Sequence, residues 1–385
     1  MPRVVLQAVS FCYGPAAIAI AVAEALRRRA RSEIEIIGMG TGSAAELLCS
    51  SSAFDGTVQT EPTRLTSLAC NALGSSDVIL SVCDFDFASE VSRRGYTAGF
   101  IDPLLWLWDE LPAKQIGNCV PYYVLDFPGV GEYLGHLDTP SLRVIPQIAH
   151  APYARGSTSP IATDSTVLVH FGGMMSPLGC NSELAQALIV DLHDTQTQYF
   201  PAMNLKVRCG RAAAEMIRSR MPRRLQTIDM KGLGHKKFQQ ELSTCDRLLT
   251  VPGMSIIFEA AAIECPTAFM LPLNYSQHRQ QEAYRSMFPD APSLSWNDLH
   301  GYGTLLAGLP EAIGVQRALQ LGAQFAQDPV ARRTFRAWAR VALGNAIPRL
   351  SASAGRWQPS GADQIADDVL STVTLDSGKA GSNDL

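Results

Sequence analysis

LLTVPGMSIIFEAAAIECPTAFMLPLNYSQHRQQEA, Leu248–Ala283, is the stretch that decides how the chain is organised. An apolar run of strand length ends at Pro252-Gly253, and a helix is expected from about Ser255. The first N–H groups of such a helix have no partner within it, and together with the positive end of the helix dipole they suit a diphosphate. Glu259 follows Gly253 within the second turn, where a carboxylate can accept from two vicinal ribose hydroxyls. A second strand, PTAFMLPL, ends at Pro272, and a polar loop containing Gln280 and Gln281 follows. Alone, a Pro-Gly turn before a helix is common in α/β proteins, and a helix carboxylate is ordinarily solvated. The order and spacing of the series carry the argument.

Working outward, VLVHFGGMMSP (Val167–Pro177) is another strand running into a glycine-rich loop. Gly172 and Gly173 would let the backbone approach a phosphate without a Cβ in the way, or simply make a tight turn. STVLVHFGG, NLKVRCG, LQTIDMKG, DRLLTVPG and PTAFMLPL give this half five strands separated by helical stretches. The first half shows the same alternation, with strands at Val4–Ser10, Ile34–Gly40, Asp77–Asp84, Thr97–Asp102, Tyr122–Phe127 and Arg143–Ala149. Strands alternating with helices argue for parallel sheets covered on both faces. APYARGSTSPIATDS, Ala151–Ser165, reads as a linker. The expected organisation is therefore α/β, with two Rossmann-like, doubly wound domains at 1–150 and 166–350 facing a cleft. Ligands of such sheets bind beyond the carboxyl ends of the strands. The chain reads helical from about Gly303 to Ala346, and 351–385 reads as one more helix, Ala362–Thr372, and a disordered tail.

The 385 residues carry a formal charge of −4, without the basic excess that a phosphate-tracking nucleic-acid binder needs. RRRARS (Arg27–Ser32) follows a helical pattern and reads as cations at a helix's carbonyl end. Nine cysteines occur without a C-x-x-C pair or zinc spacing, so reduced thiols and no metal site are expected. The apolar segment from Pro15 is interrupted by Glu24 and lacks a closely preceding basic region, and no run approaches the ~20 residues of a membrane span. The expected location is cytoplasmic.

The motifs of the second half resemble the donor-binding half of GT-B glycosyltransferases, particularly the UDP-sugar group that includes natural-product glycosyltransferases and the peptidoglycan N-acetylglucosaminyltransferase. The matching positions are Gly253, Ser255, Glu259, Ala260–Ala262, Pro266, Pro272 and Gln280-Gln281. The resemblance implies a UDP-sugar co-substrate and no other cofactor. It would place Gly253, Met254 and Ser255 on the diphosphate, Glu259 on the ribose, and Gln280, Gln281 and Arg279 near the sugar. Gly172, Gly173 and Met174 would lie near the donor, and backbone groups near Met230 would touch the base. Cys265 stands where the family has a glycine before the proline, and Val251 where many plant-type relatives have histidine.

FCYGPAAIAIAVAEAL resembles the family's first turn and helix, which puts Gly14 and Pro15 on the acceptor side. Many relatives place a histidine directly after that glycine, and here Pro15 replaces it. Transfer to a hydroxyl needs a general base. Asp84, Asp86 and Asp102 at strand ends are the candidates, with Trp106 and Trp108 as a stacking face for a planar acceptor and Asp109 beside them on the acceptor side. Equally, Asp102-Pro103 reads as a turn and the tryptophans as core. FIDPLLWLWDELP together with the donor motifs resembles cytosylglucuronate synthase and its relatives, which join glucuronate to a cytosine nitrogen. That chemistry needs less deprotonation, and Arg279 or His278 would meet the glucuronyl carboxylate. Two other readings stay open. One is a sugar-nucleotide hydrolase or epimerase, for which no further acids and histidines around the sugar are identifiable in the sequence. The other is a non-catalytic partner of a glycosyltransferase.

Overall fold

The computed structural model describes residues 1–59, 73–74, 76–108, 121–135, 141–150, 165–172, 174–175, 179–303, 305–306, 308–350 and 360–380, with 373–380 as backbone only. The chain divides into two compact units, Met1–His150 with Trp357–Leu385, and Ala151–Arg356.

The first unit is built on a parallel sheet of seven strands: β1 (Arg3–Ala8), β2 (Glu35–Gly40), β3 (Gly56–Gln59), β4 (Val78–Val82), β5 (Thr97–Asp102), β6 (Tyr122–Leu125) and β7 (Leu142–Ile145). Their order is β3-β2-β1-β4-β5-β6-β7, so the winding reverses between β1 and β4. The central strands are buried on both faces, as continuous apolar runs such as Val78–Val82 require. β3, GTVQ, alternates between half-buried and exposed residues at the sheet's edge, and the sequence reading did not include it.

Helix α1 (Gly14–Arg29) is apolar nearly all round, and eleven of its residues are buried. It carries Pro15 in its first turn, where a missing N–H costs nothing. The described residues of this unit also form α2 (Gly42–Cys49), α3 (Phe85–Arg93) and α4 (Val130–Leu134).

The second unit contains the parallel strands β8 (Thr166–Gly172), β9 (Asn204–Cys209), β10 (Asp229–Lys231), β11 (Arg247–Thr250) and β12 (Thr267–Phe269), in the order β10-β9-β8-β11-β12. The reversal here lies between β8 and β11. The helices are α5 (Ser182–Tyr199), α6 (Arg211–Arg220), α7 (His235–Thr244), α8 (Met254–Ala262), α9 (Tyr275–Met287), α10 (Glu311–Gln327) and α11 (Pro329–Gly344). The long helical stretch read from the sequence is broken at Asp328-Pro329. Asp328 accepts from the N–H groups of Val330 and Ala331 at 2.8 and 3.1 Å, which starts a new helix rather than continuing the old one.

Helix α12 (Gly361–Ala380) belongs to the first unit and runs past the expected Ala362–Thr372. It buries Ala362, Ile365, Ala366 and Val369 against α1. Its acids also answer the basic cluster, Arg28 pairing with Asp363 at 3.0 Å and Arg29 with Asp367, while Asp368 pairs with Arg143 of β7. Arg28 and Arg29 are thus interhelical partners as well as helix-end cations. Among the described residues no helix is long and apolar enough to cross a membrane.

Candidate functional site

In the second unit the chain leaves β11 through Val251-Pro252 and enters α8 at Gly253. The N-cap Gly253 is extended (φ −152°, ψ 141°) and has no side chain with which to cap, so no side-chain oxygen closes the helix tip. Gly253, Met254 and Ser255 are half-buried, which leaves the tip reachable from solvent. The next helix, α9, is different. There the Asn274 side chain accepts from the Gln277 N–H at 2.9 Å and from Ser276 Oγ at 2.9 Å. Of two consecutive strand-to-helix turns, only α8 offers its first N–H groups to a ligand.

Glu259, one turn further along α8, is 3% exposed. Its Oε1 lies 3.8 Å from Nε2 of His235, the first residue of α7. The pairing follows from topology. The crossovers from β10 to β11 and from β11 to β12 run in one direction, so right-handed connections put α7 and α8 on the same face of the sheet.

His170 stands on β8 beside Thr250 of β11, in register across the point where the winding reverses. Thr250 Oγ1 donates its proton to the Val251 carbonyl at 2.9 Å, so it accepts from His170 Nδ1–H at 3.1 Å. The imidazole packs on Phe238 of α7 with ring centroids 4.7 Å apart, and burial pushes its pKa down to about 4. At neutral pH the ring is therefore uncharged, with its lone pair on Nε2. Two residues on, Gly172 takes φ +63°, a left-handed turn that a side chain would strain. Gly173 lies outside the described residues, and Met174 is buried at 6% exposure. No motif in the sequence marks His170 or His235 as a site residue. The only sequence signal for His170 was its place next to the glycine pair.

Several positions differ from expectation. Met230 is 2% exposed, its N–H donates to the Ile228 carbonyl at 2.7 Å, and its own carbonyl accepts from Arg218. Its backbone is thus engaged within the unit, and the half-buried turn Gly232–Gly234 is the accessible backbone beside it. Gly232 is required there, because a Cβ would sit 2.7 Å from the Arg211 nitrogen. Gln281 turns inward: it is fully buried, and its Nε2 reaches the Met270 carbonyl, Ser293 Oγ and the Leu294 carbonyl at 3.2, 3.2 and 2.9 Å. Packing assigns it to holding α9 on the sheet rather than to a sugar. Gln280 is also buried, at 5% exposure, and both glutamines keep an Oε1 without a hydrogen-bond partner among the described residues. Arg279 is half-buried, with Nε 3.9 Å from Glu282. His278 is 2% exposed, and burial lowers its pKa, which makes it a poor cation for a carboxylate.

In the first unit, Asp84 closes the tip of α3, accepting from the Phe87 N–H at 3.0 Å and from Gln7 Nε2 at 2.8 Å. Gln7 Oε1 in turn accepts from Ser81 Oγ at 2.7 Å. Burial raises the Asp84 pKa against the pull of those donors. Asp86 is exposed in the first turn of α3, where a carboxylate complements the dipole. Asp102 is wholly buried and accepts from Tyr122 Oη at 2.6 Å, the Leu104 N–H at 2.8 Å and Trp108 Nε1 at 3.1 Å. With no exposed oxygen it cannot reach an acceptor, so it holds Trp108 in place rather than serving as a base. Burial pushes its pKa up to about 6.

Trp106 is core, stacked on Phe127 at 4.7 Å, whereas Trp108 is half-buried and meets Phe85 edge-on at 5.0 Å. Gly14 opens α1 with space where a Cβ would lie, and Pro15 is buried. Asp109 lies outside the described residues.

No protein-family model matches this sequence, and no curated protein matches it. Solved structures do resemble it along nearly its whole length. The UDP-GlcNAc 2-epimerase from Neisseria meningitidis bound to UDP-GlcNAc shares 12% identity over 96% of this chain and 100% of its own, with a TM-score of 0.54. The Arabidopsis thaliana UGT89C1 complexed with UDP-L-rhamnose gives 12%, 97% and 99%, with a TM-score of 0.53. The glycosyltransferase of kitacinnamycin gives 12%, 97% and 100%, with a TM-score of 0.52. At this identity the likeness establishes architecture: the chain has the α/β GT-B fold, with two parallel sheets clothed in helices.

Proposed function

We propose that this protein transfers a sugar from a UDP-sugar to a small-molecule acceptor, without a metal ion. The observation that carries the reading is the uncapped tip of α8, leaving β11 beside β8 with Glu259 one turn inside. A bare helix terminus at a winding reversal is where an α/β sheet receives a diphosphate. Glu259 would accept from the ribose hydroxyls. The α8 tip would stabilise the departing diphosphate during in-line displacement at the anomeric carbon, with positioning supplying much of the remaining rate. Gly172, Gly173, Met174 and Gln280 would line the donor. Of the aspartates, half-buried Asp84 is the proposed base, with Trp108 offering the acceptor a stacking face.

In its finer form the reading is glucuronyl transfer to a cytosine nitrogen, supported by the FIDPLLWLWDELP resemblance and by Arg279 as the cation for the sugar carboxylate.

One observation favours a second reading, epimerisation or hydrolysis of the sugar nucleotide. His235 of α7 lies against Glu259 of α8, and His170 of β8 packs on Phe238 of the same α7, two histidines that no motif marks in the sequence. The structural likeness to an epimerase adds to it.

Titration calorimetry tests the shared core of both. Glu259→Ala is expected to weaken UDP binding about tenfold or more, the scale of a hydrogen bond to a charged group. Unchanged affinity would remove the ribose role. Mass spectrometry of UDP-glucuronate and UDP-glucose, with cytosine and a panel of aglycones, then separates the reactions. A product formed only with acceptor supports transfer, and free sugar or an epimer from donor alone supports the second reading. A chain that binds no nucleotide would instead be a non-catalytic partner.

A further inference from the structure

We propose that His170 is a positioning residue of the donor site, its Nε2 accepting a hydrogen bond from a hydroxyl of the bound nucleotide sugar. The inference rests on the donor-site reading above and adds a residue and a polarity to it.

Geometry supplies the polarity. The hydroxyl proton of Thr250 is committed to the Val251 carbonyl, so the bond between Thr250 and His170 runs from Nδ1–H to Oγ1. Fixing the proton on Nδ1 leaves a lone pair on Nε2. No hydrogen bond to Nε2 is present among the described residues. The ring is also fixed in place, between Phe238 on one side and the left-handed turn at Gly172, whose added Cβ would lie 3.7 Å from His170 Cε1. It stands at the carboxyl end of β8, at the winding reversal and in register with the strand that feeds α8. A neutral ring that presents a lone pair cannot pair with a phosphate oxygen, which also only accepts. It can pair with an O–H. Ribose and the transferred sugar are the two sources of that group.

The test uses the two amides that mimic the two ring nitrogens. His170→Asn keeps a donor for Thr250 but ends short of the Nε2 position, whereas His170→Gln carries an amide oxygen out to it. Calorimetry with UDP-glucose, UDP and 2′-deoxy-UDP is expected to show His170→Asn weakening UDP-glucose about tenfold, with His170→Gln close to wild type. A loss seen with UDP-glucose and not with UDP assigns the hydroxyl to the sugar. A loss with UDP that vanishes for 2′-deoxy-UDP assigns it to the ribose.

Equal affinity of His170→Asn and wild type for every ligand would overturn the inference. So would proton uptake on UDP binding, read from the slope of heats across buffers of different ionisation enthalpy, because the ring would then be an imidazolium facing phosphate. A weakened Glu259→Ala beside an unaffected His170→Asn sinks this inference alone. A wild-type chain that binds neither UDP nor UDP-glucose overturns both.

Discussion

In the first unit the polar groups beyond β1, β4 and β5 answer one another. Asp84 takes its donors from Phe87 and Gln7, Gln7 takes one from Ser81, and Asp102 is enclosed by Tyr122, Leu104 and Trp108. In the second unit the helix after β12 is capped by Asn274, but the ends of β8 and β11 are left open. The α8 tip has no side-chain cap, and His170 is held by one nitrogen while the other has no hydrogen bond among the described residues. Both sheets wind the same way about their central strands, yet the strand-end carboxylates of the first unit take their donors from within it, whereas the α8 tip and His170 keep groups for a ligand to complete. A network satisfied internally contributes rigidity, whereas recognition needs groups whose partners are supplied by the ligand.

The contrast breaks most sharply at Asp102. Asp102→Ala leaves the Tyr122 hydroxyl, the Leu104 N–H and the Trp108 indole N–H without their acceptor in the interior. A loss of about 3 kcal/mol is expected, read by denaturant unfolding with hydrogen exchange followed separately in β5 and β8. A loss below about 1 kcal/mol would mean that the enclosed network is not a pillar of the first unit.

Acid titration sharpens the comparison, because the two regions respond with opposite sign. Asp102 has a folded-state pKa of about 6 against an ordinary 3.8. Between those values the folded state holds the extra proton, so its contribution is complete below about 3.8 and is lost as the pH rises through 6. His170 has a folded-state pKa of about 4 against 6.5. There the unfolded chain holds the extra proton, so the contribution is complete above about 6.5 and is lost as the pH falls toward 4. Each is worth about 3 kcal/mol across its window. Asp102→Asn is expected to make stability fall more steeply on acidification from pH 6.5 to 4 than in wild type, and His170→Asn to make it fall less. Parallel curves for both variants would remove the assigned asymmetry.

The smallest effect is expected at Asp84. Asp84→Ala removes the cap of α3 and should cost about 1 kcal/mol, as for N-cap losses elsewhere. Because Asp84 is also the proposed base, turnover should fall far more than stability does. Equal modest losses in both would leave it a cap alone.

Much of the architecture was legible because its signals are local. Alternating apolar runs of strand and helix length placed all five strands of the second sheet and six of the seven in the first. The exception, GTVQ of β3, is short, half-exposed and at an edge, so it lacks the apolar run that marks its neighbours. The break at Asp328-Pro329 was readable in principle, as an N-cap residue before a proline, but the flanking periodicity concealed it. The donor turn was read from Gly253, Ser255 and Glu259 because a strand, a breaker and a helix in succession fix where a helix tip lies.

Which polar side chain faces a ligand and which faces the core was not local information. Gln280 and Gln281 are adjacent in sequence and both buried, and only the packing of α9 on the chain around Met270 and Leu294 supplies acceptors to the Gln281 amide. Asp102 and Asp84 both read as strand-end carboxylates, and burial under Tyr122 and Trp108 separates their roles. His170 gains its tautomer from Thr250, eighty positions away, because β8 and β11 are neighbours in the sheet. The sequence by itself determined the order of elements and the place of the bare helix tip, since both depend on residues a few positions apart. Only the tertiary structure decided which groups are already satisfied, because a buried polar atom takes its partner from whichever strand or helix the fold lays beside it.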